Sequence, residues 1–236
     1  MIFTAAIFDM DGLLLDTERI CMNCFMEAGR LIGYAVDPNV YLACIGTNHA
    51  RGKSILIDGH GKDFPYEEIS ALWNEQYLER ILENPIPIKV GAVELLRDIV
   101  ESGTPIALAT SAAYEHAQIK LRNSKLYDYF DFIIGGDQVA NGKPDPEIYL
   151  KAAAELNVAP SNCVAFEDSE NGVRAALAAG IYVVQVPDLV EPSKELKSMG
   201  HTILSSLGEF EWGNQQADKS NNYPHSAPDA LTHAGF

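Results

Sequence analysis

A chain of 236 residues with 47% hydrophobic and 21% charged types has enough apolar side chains for a sizeable core, which excludes bulk disorder. Acidic side chains outnumber basic ones by 33 − 17 = 16, which argues against nucleic-acid and anionic-membrane partners, since both demand basic surface. A small anionic substrate stays open, because one lysine or a metal reverses the field inside a pocket.

The chain opens on a nearly unbroken apolar run over residues 2–8, ending at Asp9. That pattern fits a parallel strand covered on both faces. From Thr17 the apolar residues recur at three and four, with Ile20, Cys24, Phe25, Ala28 and Leu31 on one helical face. Further helices are expected over 39–45, 50–58 and 66–83, until Asn84-Pro85-Ile86-Pro87 breaks the pattern. Helices and strands then alternate. Helices are predicted at 91–102, 114–123, 146–156 and 171–179, strands at 106–109, 132–134, 164–166, 182–186 and 202–204. Such alternation predicts an α/β fold with a Rossmann-like, doubly wound parallel sheet. The core would comprise residues 1–15 and 87–213, with an inserted helical cap over 16–86 hinged near 14–16 and 85–91. The polar tail, 214–236, is expected to be disordered.

Several single features have plain readings. The longest apolar stretch, residues 175–184, is ten residues, well short of the ~20 a spanning helix needs. The first positive side chain is Arg19, so no secretory leader is expected. Cys21 and Cys24 form a C-x-x-C inside a helical pattern, with no second pair to complete a metal site. Free thiols and a cytoplasmic protein are expected. Asp145 is expected to cap the next helix, His60, His116 and His201 to lie on surfaces or helices, and Trp73 and Trp212 to anchor packing. Asp137 has no assigned part.

Ligands of open α/β sheets bind at the carboxyl ends of the strands. Here those ends carry Asp9-Met10-Asp11-Gly12, Thr110-Ser111 and Glu167-Asp168-Ser169, and Asn141-Gly142-Lys143-Pro144-Asp145-Pro146 sits between the third and fourth strands. Each segment alone is common. Together they would gather several carboxylates, which repel one another unless a hard cation, most simply Mg2+, sits among them. A lysine and backbone N–H groups beside them suit a phosphoryl group, and a carboxylate there can attack phosphorus.

FDMDGLLLDTE, ALATS, NGKPDPEIY and AFEDSENG, in that order, resemble the four motifs of the haloacid dehalogenase superfamily. The likeness extends to about residue 208, and the cap is similar to the type-1 helical cap of the β-phosphoglucomutase-like group of phosphatases and mutases. The resemblance implies that Asp9 is the nucleophile, Asp11 the general acid and then base, and Thr110 and Ser111 phosphoryl-binding. Lys143 would neutralise both nucleophile and phosphate. Mg2+ would be held by Asp9, Asp168 and the Asp11 carbonyl, with Glu167 a second acidic partner, reached through water. The presence of Asp11 points to phosphoryl chemistry, since dehalogenases and phosphonatases of the superfamily lack it. His49 and Arg51 are candidates for substrate contact from the cap. The expected activity is Mg2+-dependent hydrolysis of a small phosphorylated metabolite, a sugar or polyol phosphate, by a monomer or weak dimer. A phosphomutase is the alternative, and a catalytically idle binding protein the next. Cys21 stands where the mutase has a histidine, Ala113 where it has a lysine, and the cap loop Ile45-Gly46-Thr47-Asn48-His49 lacks its cations.

Overall fold

In the computed structural model of the chain, the described residues are 3–45 and 49–213, without the side chains of 49 and 50. The tail and the His49 side chain therefore lie outside the described residues. The strands are β1 (Ala5–Phe8), β2 (Ile106–Ala109), β3 (Phe132–Ile134), β4 (Cys163–Glu167), β5 (Tyr182–Gln185) and β6 (Thr202–Ile203). They form one parallel sheet in the order β3-β2-β1-β4-β5-β6. The helices are α1 (Thr17–Leu31), α2 (Pro38–Leu42), α3 (His49–His60), α4 (Tyr66–Glu83), α5 (Ala92–Glu101), α6 (Tyr114–Asn123), α7 (Glu147–Glu155), α8 (Glu170–Ala178) and α9 (Lys194–Lys197).

Alternate residues of the central strands feed two cores, one on each face. Ala6, Phe8, Leu108, Val164 and Phe166 pack with Leu96 and Ile99 of α5 and Ala117 and Leu121 of α6. Ala5, Ile7, Ala107, Cys163 and Ala165 pack with Ile148 and Ala152 of α7 and Val173 and Ala176 of α8. Burial on both faces is why the strands read as continuous apolar runs. The Phe8 and Phe166 rings stack with centroids 4.5 Å apart, joining β1 to β4 under the site.

Helices α1 to α4, between β1 and α5, hold a third core of their own, built on Phe25, Ala28, Tyr41, Leu56, Phe64 and Ile69. Trp73 anchors it, its indole N–H donating to the Cys21 carbonyl at 3.0 Å. None of the four cysteines is in a disulfide. The two connections to this helical block pair with each other. Asp16 N–H donates to the Pro87 carbonyl and Lys89 N–H to the Leu14 carbonyl, each at 2.9 Å. The Lys89 ammonium also pairs with Asp188, beyond β5, tying a connection to the core.

One expectation needs correction, and one element was not foreseen. His201 is buried rather than on a surface, its Nε2 2.8 Å from the Gln185 side-chain oxygen, and burial lowers its pKa. Gln185 in turn donates to the Asp168 carbonyl at 3.0 Å, so the pair braces the loop after β4. The short helix α9 has too few residues to show a period. Its signals are the Ser193 hydroxyl accepting from Leu196 N–H and the burial of Leu196. No helix among the described residues is long and apolar enough to cross a membrane.

Candidate active site

β1 lies at the middle of the sheet with β2 and β4 on either side, and register sets Phe8 level with Leu108 and Phe166. Strands are about 4.8 Å apart. Asp9, the Thr110-Ser111 pair and the Glu167-Asp168 pair therefore leave the sheet side by side. Gly12 turns the first loop back at φ +82°, and a Cβ there would sit 2.3 Å from Asp168 Oδ2. Only glycine allows that approach.

Lys143 arrives from the loop between β3 and α7. Glu147 fastens that loop by accepting from the N–H groups of Ala140 and Asn141 at 2.8 and 2.9 Å. Asp145 caps α7, accepting from Glu147 N–H at 3.0 Å, as its sequence suggested. Lys143 Nζ then donates to Asp9 Oδ1 at 2.6 Å, Glu167 Oε1 at 2.5 Å and the Ala109 carbonyl at 2.9 Å. Its side chain is 5% exposed, so these three acceptors use all its donors.

Glu167 is fully buried and crowded. Tyr149 O–H joins Lys143 at Oε1, while Oε2 accepts from Asp168 N–H, Ser169 N–H and the Ser169 hydroxyl. A Cβ at Gly172 would fall 1.9 Å from this carboxylate. With five protein donors, Glu167 orients Lys143 and the loop after β4.

Asp11 has a partner that the sequence did not reveal. Lys120 of α6, 3% exposed, donates to Asp11 Oδ1 at 2.6 Å and Oδ2 at 2.8 Å. No motif marks Lys120; its helix phase alone, on the face with Ala117 and Leu121, hints that it points inward. Thr110 is buried, its hydroxyl accepting from Ala112 N–H at 3.2 Å, and Ser111 is exposed at the rim. Asp137 acquires a part as well, accepting from Tyr114 N–H at 2.8 Å at the start of α6.

Asp9, Asp11, Thr110, Ser111, Lys143 and Asp168 line one cavity of about 310 Å3, together with Glu18 and Ile45 from the helical block. A larger groove of about 400 Å3 between α1 and α4 shares none of these residues. Arg51 is exposed on α3 and is not among the described residues lining the cavity.

The electrostatics call for a cation. When all four carboxyls are ionised, Asp9, Asp11, Glu167 and Asp168 face Lys120 and Lys143, so −4 + 2 leaves two negative charges. Carboxylate oxygens of Asp9, Glu167 and Asp168 lie within 4.8 Å of one another. Burial pushes the Asp9 carboxyl up to about 7, with Lys143 opposing and Glu167 and Asp11 adding to the rise. Asp168 is raised by burial, Glu167 and Asp9 together. Lys143 goes the other way: burial disfavours its charge, but Asp9 and Glu167 overrule that and raise its pKa. A divalent cation with oxygen ligands fits both the charge and the donors.

A model of the family described as haloacid dehalogenase-like hydrolase matches residues 3–180. The chain belongs to the haloacid dehalogenase-like hydrolases. It is 37% identical over 181 residues to "Phosphorylated carbohydrates phosphatase" of Thermotoga maritima, covering 75% of this chain and 82% of that one. The crystal structure of CbbY from Rhodobacter sphaeroides in complex with xylulose-(1,5)-bisphosphate is 29% identical, with TM-score 0.70, over 88% of this chain and 96% of that one. Beta-phosphoglucomutase from Clostridium difficile is 26% identical, with TM-score 0.67, over 90% and 94%. The α/β fold with its doubly wound sheet is thus the fold of this hydrolase family, and the chain is an enzyme of it.

The raised Asp9 carboxyl makes cation binding pH-dependent. A carboxyl raised from 3.8 to about 7 keeps its proton in the folded, metal-free protein where the unfolded chain has lost it. Folded stability therefore falls as pH rises across that window. A cation using those oxygens competes with the proton below pH 7 and not above it. The rise in Tm on adding Mg2+ should be larger at pH 8 than at pH 6 in thermal melts. The reverse trend would show that the cation does not bind through Asp9.

Proposed function

We propose that this chain is a Mg2+-dependent phosphatase of small phosphorylated metabolites, sugar or polyol phosphates, acting through an aspartyl-phosphate intermediate on Asp9. The observation that carries the reading is Lys143 bonded at once to Asp9 and Glu167 at the edge of the cavity that Thr110 and Asp168 share. Asp9, Asp168 and the Asp11 carbonyl would hold Mg2+, with Glu167 reached through water. Bound there, the ion would neutralise carboxylate and phosphate charge so that anion can approach anion. Thr110 and Ser111 grip the phosphoryl oxygens and aim phosphorus at Asp9 Oδ, and Lys143 joins them by turning one of its three N–H groups from its present acceptors to phosphate. As Asp9 attacks, the ester bond to the leaving oxygen breaks and Asp11 gives that oxygen a proton. Asp11 then takes a proton from water, whose oxygen attacks the same phosphorus and frees Asp9 and inorganic phosphate. Asp11 first has to release at least one of its two bonds from Lys120.

Hydrolysis is favoured over phosphomutase transfer by Cys21. Burial pushes its thiol up to about 12, so it supplies neither charge nor proton where the mutase histidine would act. The test is phosphate release from p-nitrophenyl phosphate and a panel of sugar and polyol phosphates, with Mg2+ and with chelator. Release that depends on Mg2+ is expected. Conserved phosphate with stimulation by a sugar bisphosphate would replace this reading with the mutase. Tight Mg2+ binding without turnover would leave an idle binding protein.

A further inference from the structure

The cavity has two unlike walls. Asp9, Asp11, Thr110, Ser111 and Asp168 come from the ends of core strands and Lys143 from the loop between β3 and α7, while Glu18 and Ile45 come from the helical block. Glu18 stands in the first turn of α1, directly after the connection at residue 16. It also lines an adjoining cavity of about 90 Å3 with Asp168 and Asp188. Among the described residues it makes no ion pair, although Lys120 acts on it from a distance. Burial pushes its carboxyl up to about 7, with Asp11 and Asp188 adding to the rise and Lys120 and the Tyr41 hydroxyl opposing it.

A carboxyl group here does nothing to hold phosphate. The cationic and hydroxyl groups that suit a phosphoryl group, Lys143, Thr110 and Ser111, all lie on the core wall. A phosphoryl group seated on them directs its ester oxygen and leaving group toward the helical block. The leaving group then meets an acceptor, Glu18, beside an apolar side chain, Ile45. Such a wall accepts hydrogen bonds from hydroxyls, takes a carbon skeleton against Ile45, and repels a second phosphate.

Resting on the phosphatase reading above, we infer that Glu18 determines specificity by accepting hydrogen bonds from leaving-group hydroxyls, so the substrate is a polyhydroxylated monophosphate rather than an aryl phosphate or a bisphosphate. A site built to bond a hydroxyl discriminates strongly against analogues that lack one.

The test compares Glu18→Gln with the wild type. The readout is kcat/KM on the best polyol or sugar monophosphate of the panel, divided by kcat/KM on phenyl phosphate, whose leaving group has no further hydroxyl. That ratio should fall on the order of 10- to 100-fold, the worth of a hydrogen bond to a charged group. Relative affinity for a sugar bisphosphate should rise in the same variant. An unchanged ratio, whether both activities fall together or neither does, overturns the inference. Calorimetry on the Asp9→Asn protein with Mg2+, with and without Glu18→Gln, gives the corresponding binding selectivity from dissociation constants and needs no turnover. Selectivity lost there while the wild type releases no phosphate would sink the phosphatase reading and leave the assignment of Glu18 standing.

Discussion

Asp9→Asn should abolish phosphate release, by at least about 10³-fold in kcat, since removing a nucleophile leaves only binding and electrostatic catalysis. The substitution keeps the shape and the acceptor oxygen for Lys143, so ligand affinity should change far less than kcat. Stability should move the opposite way. The wild-type carboxyl is raised to about 7, so at pH 8 the metal-free protein carries an ionised, buried carboxylate at a cost. An amide escapes that cost. The metal-free variant should melt several degrees higher at pH 8, at about 2–4 °C per kcal/mol for a chain of this size. Colorimetric phosphate release and thermal melts at pH 8 with chelator measure the two halves. Full turnover would refute the nucleophile; a lower Tm would refute the excess negative charge.

Lys143→Met should be the most destabilising change in the site. Its ammonium is bonded to Asp9 and Glu167 while 5% exposed, and Glu167 is fully buried. Removing one partner of a buried pair leaves uncompensated charge, which costs about 3–5 kcal/mol. Using the same conversion, the metal-free protein should lose roughly 6–20 °C in Tm. Activity should fall as well, on the order of 10²–10³-fold, because a donor to the phosphoryl oxygens is lost. The pairing with Asp9 has its own signature. In the Asp9→Asn background one of the stranded charges is gone, so Lys143→Met should cost less, by about 1 kcal/mol or more. Equal costs in both backgrounds would show that Lys143 acts on stability through Glu167 alone.

Much of this site was legible before the fold. A parallel strand ends where its apolar run ends, and the next residues along the chain lie on the carboxyl edge whatever their rotamers. Asp9, Thr110 and Asp168 are found at one cavity for that reason, while Lys143 reaches it from the loop between β3 and α7. Neighbouring-strand order mattered too, since Thr110 and Asp168 reach Asp9 only because β2 and β4 flank β1. Other features left no mark in the chain. His201 looked like a lone surface residue because its partner, Gln185, sits on another strand and presents an ordinary polar side chain. Asp137 comes after a short strand with no obvious reach, yet it caps α6 across a loop.

By itself, the sequence determined the alternation that makes a parallel sheet, the insertion of a helical block after its first strand, and the types of side chain at each strand end. Those depend on local apolar period and on residues adjacent along the chain. Only the tertiary structure decided that Lys120 binds Asp11, that Glu167 turns inward to Lys143 and Tyr149, and that Glu18 faces the core wall. Each of these joins side chains from different elements. Their meeting depends on helix phase and on how the faces pack, and neither is written in the spacing of any single motif.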